Sequence, residues 1–177
     1  MVKILVLGIG NPIRHDDGVA IEIVRRLGEK IDSEDVDIKE TSEAGLNLLD
    51  LMIDYERLLI VDSIQTEGGR AGDIYRFTQK ELKSPSHLQF SHNTGIPALL
   101  RLAEKMKLSL SEEITFYAIE IEKGNVFGEG LTENVEEAVP RAVELIAEEI
   151  RNHRSKSKAL QKQDKEVRIW QCKSWMR

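Results

Sequence analysis

The chain has 177 residues, 41% hydrophobic and 32% charged, which supplies one buried core and leaves little room for two domains. No apolar run approaches the ~20 residues that cross a bilayer. The first residues do not read as a signal peptide, and a single cysteine, Cys172, excludes a disulfide framework or a cysteine-rich zinc site.

The net charge of −6 is unevenly spread. Residues 1–150 carry 16 Lys and Arg against 29 Asp and Glu, whereas residues 151–177 carry 9 against 2. The body therefore repels nucleic acid and only the tail is basic. The expectation is a cytoplasmic protein with no nucleic-acid or membrane partner.

Val2 to Leu7 is a short apolar run ended by Gly8-Ile-Gly10-Asn-Pro12, which reads as a buried strand and a tight loop. From Asp16 the spacing turns helical. Val19, Ile23 and Leu27 share a face with Ala20 and Val24, and Asp16 and Asp17 stand where carboxylates cap a helix start. Val36 to Glu40 is a weaker strand, followed by a helix from near Ala44 lined by Leu46, Leu49, Met52 and Ile53. Arg57 to Ser63 is a third strand with a polar far end, Thr66 to Gly72 a turn, and Asp73 to Thr78 a half-exposed strand. A polar loop from Lys83 leads into a helix over about Thr94 to Lys107. Glu113 to Ile121 is the fifth strand and Lys123 to Gly130 a loop. Thr132 then caps a last helix that reaches about Asn152.

Strands alternating with helices predict an α/β three-layer sandwich, a mostly parallel five-stranded sheet with helices on both faces. It takes up residues 1–152, and residues 153–177 follow as a basic extension. In such sheets, ligands bind beyond the carboxyl ends of the strands. Asp17 follows the first strand, Asp62 ends the third, and His92 stands in the polar loop, so all three are expected at one edge. Two carboxylates and an imidazole suit a divalent first-row ion with open coordination positions. Singly, each has a plainer role: Asp16 or Asp17 as a helix cap, Asp62 as a turn residue, His92 as a solvated loop side chain. Their convergence is what marks them.

Gly8-x-Gly10 is not a dinucleotide fingerprint. Ile13 holds the position of the third glycine, and two carboxylates at the helix start oppose a phosphate. The glycines instead permit a tight turn and close backbone approach. No Walker loop or Gly-x-Ser-x-Gly elbow occurs. Ser63 and Ser91, beside Asp62 and His92, show no triad spacing, and His15 beside Asp16 is either a base or an exposed loop side chain.

Together these motifs resemble the hydrogenase maturation endopeptidases. Lys3-Ile-Leu-Val-Leu-Gly-Ile-Gly-Asn-Pro-Ile-Arg-His-Asp-Asp-Gly18 looks like the family's opening strand, Gly-x-Gly-Asn loop and acidic pair. Leu58-Leu-Ile-Val-Asp-Ser63, Ser91-His-Asn-Thr-Gly95 and Gly130-Leu-Thr-x-x-Val135 resemble its later motifs in the same order. The resemblance implies an endopeptidase that trims the C-terminal extension of a nickel-iron hydrogenase large-subunit precursor. It implies Asp17, Asp62 and His92 as metal-binding residues, Asp16, Asp17 and Asp62 as catalytic carboxylates, and Gly8, Gly10 and Asn11 as a substrate loop. The nickel is supplied by the precursor, either taking part in the hydrolysis or reporting that the substrate is ready; in the second case Asp16 or His15 is a candidate base. Ala20, the Ser42–Gly45 loop and Ile121 depart from the family pattern. Two other readings stand beside this one: a nickel- and precursor-binding adaptor without cutting, and a peptidyl-tRNA hydrolase-like enzyme, whose family also opens with a strand and Gly-x-Gly-Asn-Pro.

Overall fold

A computed structural model describes residues 3–82, 89–90, 96–122 and 127–174. Its strands are β1 (Ile4–Ile9), β2 (Val36–Thr41), β3 (Arg57–Gln65), β4 (Ile74–Thr78), β5 (Gln89–Phe90) and β6 (Glu113–Glu120). Its helices are α1 (Val19–Lys30), α2 (Asn47–Met52), α3 (Gln79–Leu82), α4 (Ile96–Lys105) and α5 (Glu133–Ser174), with a 3-10 turn at His15–Gly18 before α1. No helix among the described residues is long and apolar enough to cross a membrane.

The five expected strands form one sheet in the order β2-β1-β3-β6-β4, parallel except for β4. The two-residue β5 pairs antiparallel with the end of β3. Alternation along each strand sends side chains to two separate cores. Ile4, Val6, Leu59, Val61, Tyr117 and Ile119 pack with α1 and α5, whereas Leu5, Leu7, Leu58, Ile60, Ile114 and Phe116 pack with α2 and α4. The three-layer expectation holds.

Three details differ from the sequence reading. The short α3 and β5 carry too few residues for a periodic signal. The second helix starts at Asn47, leaving Leu46 exposed. The last helix does not stop near Asn152 but runs on to Ser174, because no glycine or proline interrupts helix-forming Lys, Gln, Glu and Leu there.

The helix α5 is fixed to the amino edge of the sheet through Glu149. Its carboxylate accepts hydrogen bonds from Arg57 Nη2 (2.5 Å), Arg76 Nε (2.8 Å), Tyr117 Oη (2.5 Å) and Thr115 Oγ1 (3.0 Å). Arg57 also reaches Glu113 (2.6 Å) and His153 Nδ1 (2.9 Å). Burial pushes the Glu149 carboxyl up, but the bonds from Arg76, Tyr117, Arg57 and Thr115 outweigh it and hold it at about 2. Burial and the Arg57 charge push the His153 imidazole down, so its Nδ1 serves as an acceptor.

A carboxyl held below its unfolded value contributes stability above that value and loses it as pH falls through the folded one. Acid unfolding between about pH 4.5 and 2 is therefore expected to draw on Glu149. Glu149→Gln should flatten the dependence of stability on pH across that window and cost about 1–3 kcal/mol at pH 7, by removing the ion-pair partner of Arg76 and one of the two carboxylates that hold Arg57. Denaturant unfolding across the acid range checks this; an unchanged slope in the variant contradicts it.

Candidate functional site

The order β2-β1-β3 places a topological switch between β1 and β3: the connections leaving their carboxyl ends diverge, and a crevice opens there. The register shows the opening directly. Pairing of β1 with β3 ends at Gly8 opposite Val61, and β5 takes up pairing only at Ile64. On that side of β3, Asp62 and Ser63 therefore lie between two partners, while β6 still pairs with them on the other side.

Asp62 is 1% exposed, and its Oδ1 accepts the Ser63 amide at 2.8 Å. By alternation Asp62 follows Leu58 and Ile60 toward the α2 and α4 face, and Ser63 follows Val61 toward α1. There the Ser63 hydroxyl donates to Asp17 Oδ1 at 3.3 Å. Asp17, 6% exposed, lies in the 3-10 turn that leads into α1. Ser63 is thus bonded to both Asp62 and Asp17, to the first through its amide and to the second through its hydroxyl. His92 lies outside the described residues, in a segment that precedes Ile96 and α4. Among the described residues no group of three or more His, Cys, Asp or Glu side chains is placed to hold a metal ion. The Asp17 and Asp62 carboxylates are hard oxygen donors, a chemistry that fits part of a divalent first-row ion's coordination.

The turn is held from below by glycines. A Cβ on Gly8 would meet Val24 Cγ2 at 2.7 Å and the Ala20 carbonyl at 2.8 Å. One on Gly10 would meet the Asp17 carbonyl oxygen at 2.5 Å. These glycines, both buried, let α1 begin against the end of β1 and so carry Asp17 to the crevice. Asn11 fixes the same turn: its amide donates to the Asp17 carbonyl (3.2 Å) and its Oδ1 accepts the Ile13 amide (3.2 Å).

Asp16 behaves differently from its expected part as a cap of α1. Its Oδ1 and Oδ2 accept the Thr132 amide (2.7 Å) and hydroxyl (2.8 Å), so it ties the turn to the start of α5. The Thr132 hydroxyl, expected to cap α5 itself, is used in this link. A second brace lies alongside. The His15 amide donates to the Gly128 carbonyl (2.9 Å) and the Gly128 amide to the Ile13 carbonyl (3.0 Å). His15 has φ 49, a region costly for a side-chain-bearing residue, and its imidazole fills the space a Cβ on Gly128 would need.

Sequence reasoning missed Ser63 as the link, and it missed Thr132, Gly128 and Glu120. The buried Glu120 carboxylate, at the end of β6, accepts the Thr66 amide (2.6 Å) and hydroxyl (2.9 Å) and so holds the turn after β3. Only the strand-end position of Glu120, shared with Asp62, was a signal for it.

Removing the Asp16 side chain should leave the Thr132 amide without its acceptor. Asp16→Ala is expected to lower stability by about 1–3 kcal/mol, whereas Asp16→Asn, which can still accept the amide, should lose much less. Thermal unfolding of the two variants checks this, and equal losses would contradict it.

Comparison with known proteins adds the family. The hydrogenase maturation protease description matches residues 21–149. The chain is 26% identical to the hydrogenase 2 maturation protease of Escherichia coli over 152 residues, covering 85% of this chain and 92% of that protein. It is 30% identical to protein FrxA of Pyrococcus furiosus over 148 residues, covering 77% and 96%. Among solved structures, the hydrogenase maturating endopeptidase HybD from Escherichia coli superposes with a TM-score of 0.71 at 24% identity, covering 86% of this chain and 94% of that one. The nickel-iron hydrogenase maturation protease HybD from Thermococcus kodakarensis gives 0.63 at 28%, covering 84% and 99%. With the family description matched over residues 21–149 and the fold in agreement, the chain belongs to the hydrogenase maturation protease family.

Proposed function

We propose that this protein removes, by endopeptidase cleavage, the C-terminal extension of a nickel-loaded hydrogenase large-subunit precursor, and that it acts in the cytoplasm. The observation that carries the reading is the pair of buried carboxylates, Asp17 and Asp62, joined through Ser63 where β1 and β3 part. Family membership supplies the reaction class.

Nickel enters as cargo of the substrate. Carried by the precursor, it supplies a Lewis acid that polarises a carbonyl or activates water. Asp17 and Asp62 offer oxygen donors toward it, and His92, four residues before the start of α4, is the proposed third donor. Asp62 points to the sheet face on which α4 packs, which supports that assignment.

The remaining work falls to the chain's own residues. A carboxylate at this edge orients the precursor and takes the proton of the attacking water. Asp16 has both oxygens engaged by Thr132, so its part in this reading is to keep Asp17 in place. The loop of Gly8, Gly10 and Asn11 sets the same position and borders the path of the bound segment. Both carboxylates are buried, so water screens them little and charge interactions at the crevice are strong.

The test mixes the protein with its organism's large-subunit precursor, with and without nickel, and reads the precursor's mass. A nickel-dependent loss of a C-terminal peptide is expected. Asp17→Asn and Asp62→Asn should slow it about 100-fold or more while the variants remain folded. Undiminished cutting by both variants would remove these residues from the site. A nickel-dependent complex with no shorter product would instead make the protein an adaptor.

A further inference from the structure

Beside the crevice lies a groove of about 480 Å3 that the reading above leaves unused. It runs between the His15–Gly18 turn, the outer side of α1 and the Glu129–Leu131 segment that leads into α5. Pro12, Ile13, Ile21 and Leu131 give it an apolar lining, and Glu22, Glu129 and Glu136 give it carboxylates. Its one lining guanidinium, Arg25, is held by Glu40 at 2.7 and 2.8 Å. Glu22 and Glu136 share Arg26 at 2.6 and 2.5 Å. Glu129 belongs to neither arrangement, and among the described lining residues three carboxylates stand against the one guanidinium of Arg25, so the groove is negative. Next to it, Ile13 is 55% exposed and Phe127 77% exposed, on either side of the bridge between Arg14 and Gly128.

Apolar side chains so exposed, beside an apolar floor and an excess of carboxylates, describe a surface complementary to a cationic, partly apolar chain. Its negative charge rejects nucleic acid and anionic lipid. His15 and Gly18 line the groove and belong to the same turn as Asp17, so a polypeptide seated in it runs beside that turn.

We infer that this groove is a recognition subsite for an extended segment of the hydrogenase precursor carrying a lysine or arginine among apolar residues. The cation faces Glu129, and its apolar neighbours seat on Ile13, Ile21 and Leu131. The inference rests on the proposed function for its partner. It adds a place where the precursor is read outside the pair of carboxylates.

Glu129 is exposed, so its replacement leaves the fold intact. The full chain and its Glu129→Lys variant are titrated calorimetrically with nickel-loaded precursor, and cleavage is followed by mass. Both proteins are also tested against precursors in which each Lys or Arg of the C-terminal stretch is changed to Glu. Glu129→Lys is expected to weaken binding about fivefold to tenfold, with the loss appearing in KM rather than kcat. One charge-reversed precursor should restore it. Unchanged affinity, or the absence of any restoring precursor, overturns the subsite. Binding that depends on Glu129 without a change in precursor mass keeps the subsite and sinks the proposed cutting. If Glu129→Lys abolishes self-association while precursor affinity stays intact, the groove belongs to a second copy's basic extension and the inference fails.

Discussion

Carboxylates buried at the rim of an apolar sheet are costly unless neighbouring groups hold them, and much of the polar structure around the carboxyl edge meets that requirement. Ser63 serves two of them at once, giving its amide to Asp62 and its hydroxyl to Asp17. Thr132 serves Asp16 in the same double manner, and Thr66 serves Glu120. Each acidic group thus fixes a loop: the turn after β1 to the start of α5, the end of β3 to the turn before α1, and the turn after β3 to the end of β6. The edge is polar and rigid together, as a site must be if its donors are to meet a ligand without rearranging.

The same helix that receives Asp16 at its start is fastened at the opposite edge of the sheet by Glu149. Between these two fastenings the apolar side of α5, from Val135 to Ile150, lies in the core shared with α1. The Asp17 turn is therefore set by β1, α1 and α5 jointly. Gly8 and Gly10 admit α1 to the end of β1, and the His15–Gly128 brace closes the remaining side. A helix clamped at its start and again at Glu149 gives the turn a fixed reference against which to be placed.

Much of this was legible in the sequence. Continuous apolar runs such as Leu58 to Val61 and helical spacing such as Val19, Ile23 and Leu27 reflect local geometry, so strands, helices and the two-faced sheet followed from them. Strand-end position also marked Asp17 and Asp62, both of which bond to Ser63. What the sequence withheld are the links between distant segments. Nothing local distinguishes an Asp16 that caps its own helix from one that receives Thr132 at a sequence separation of 116. Nor does a lone Gly128 announce that its missing side chain makes room for His15. The ending of β1–β3 pairing at Val61, which opens the crevice, is a property of register and not of composition.

The proposed function makes one central physical claim, that the edge between β1 and β3 meets a nickel ion brought by the substrate. The most direct measurement is nickel X-ray absorption of the loaded precursor, alone and in complex with this protein. The account predicts that complex formation adds oxygen or nitrogen donors to the nickel. It also predicts that the gain shrinks when Asp17 and Asp62 are both changed to Asn. A nickel environment identical in the free precursor and in the complex, with cleavage proceeding normally, would contradict it.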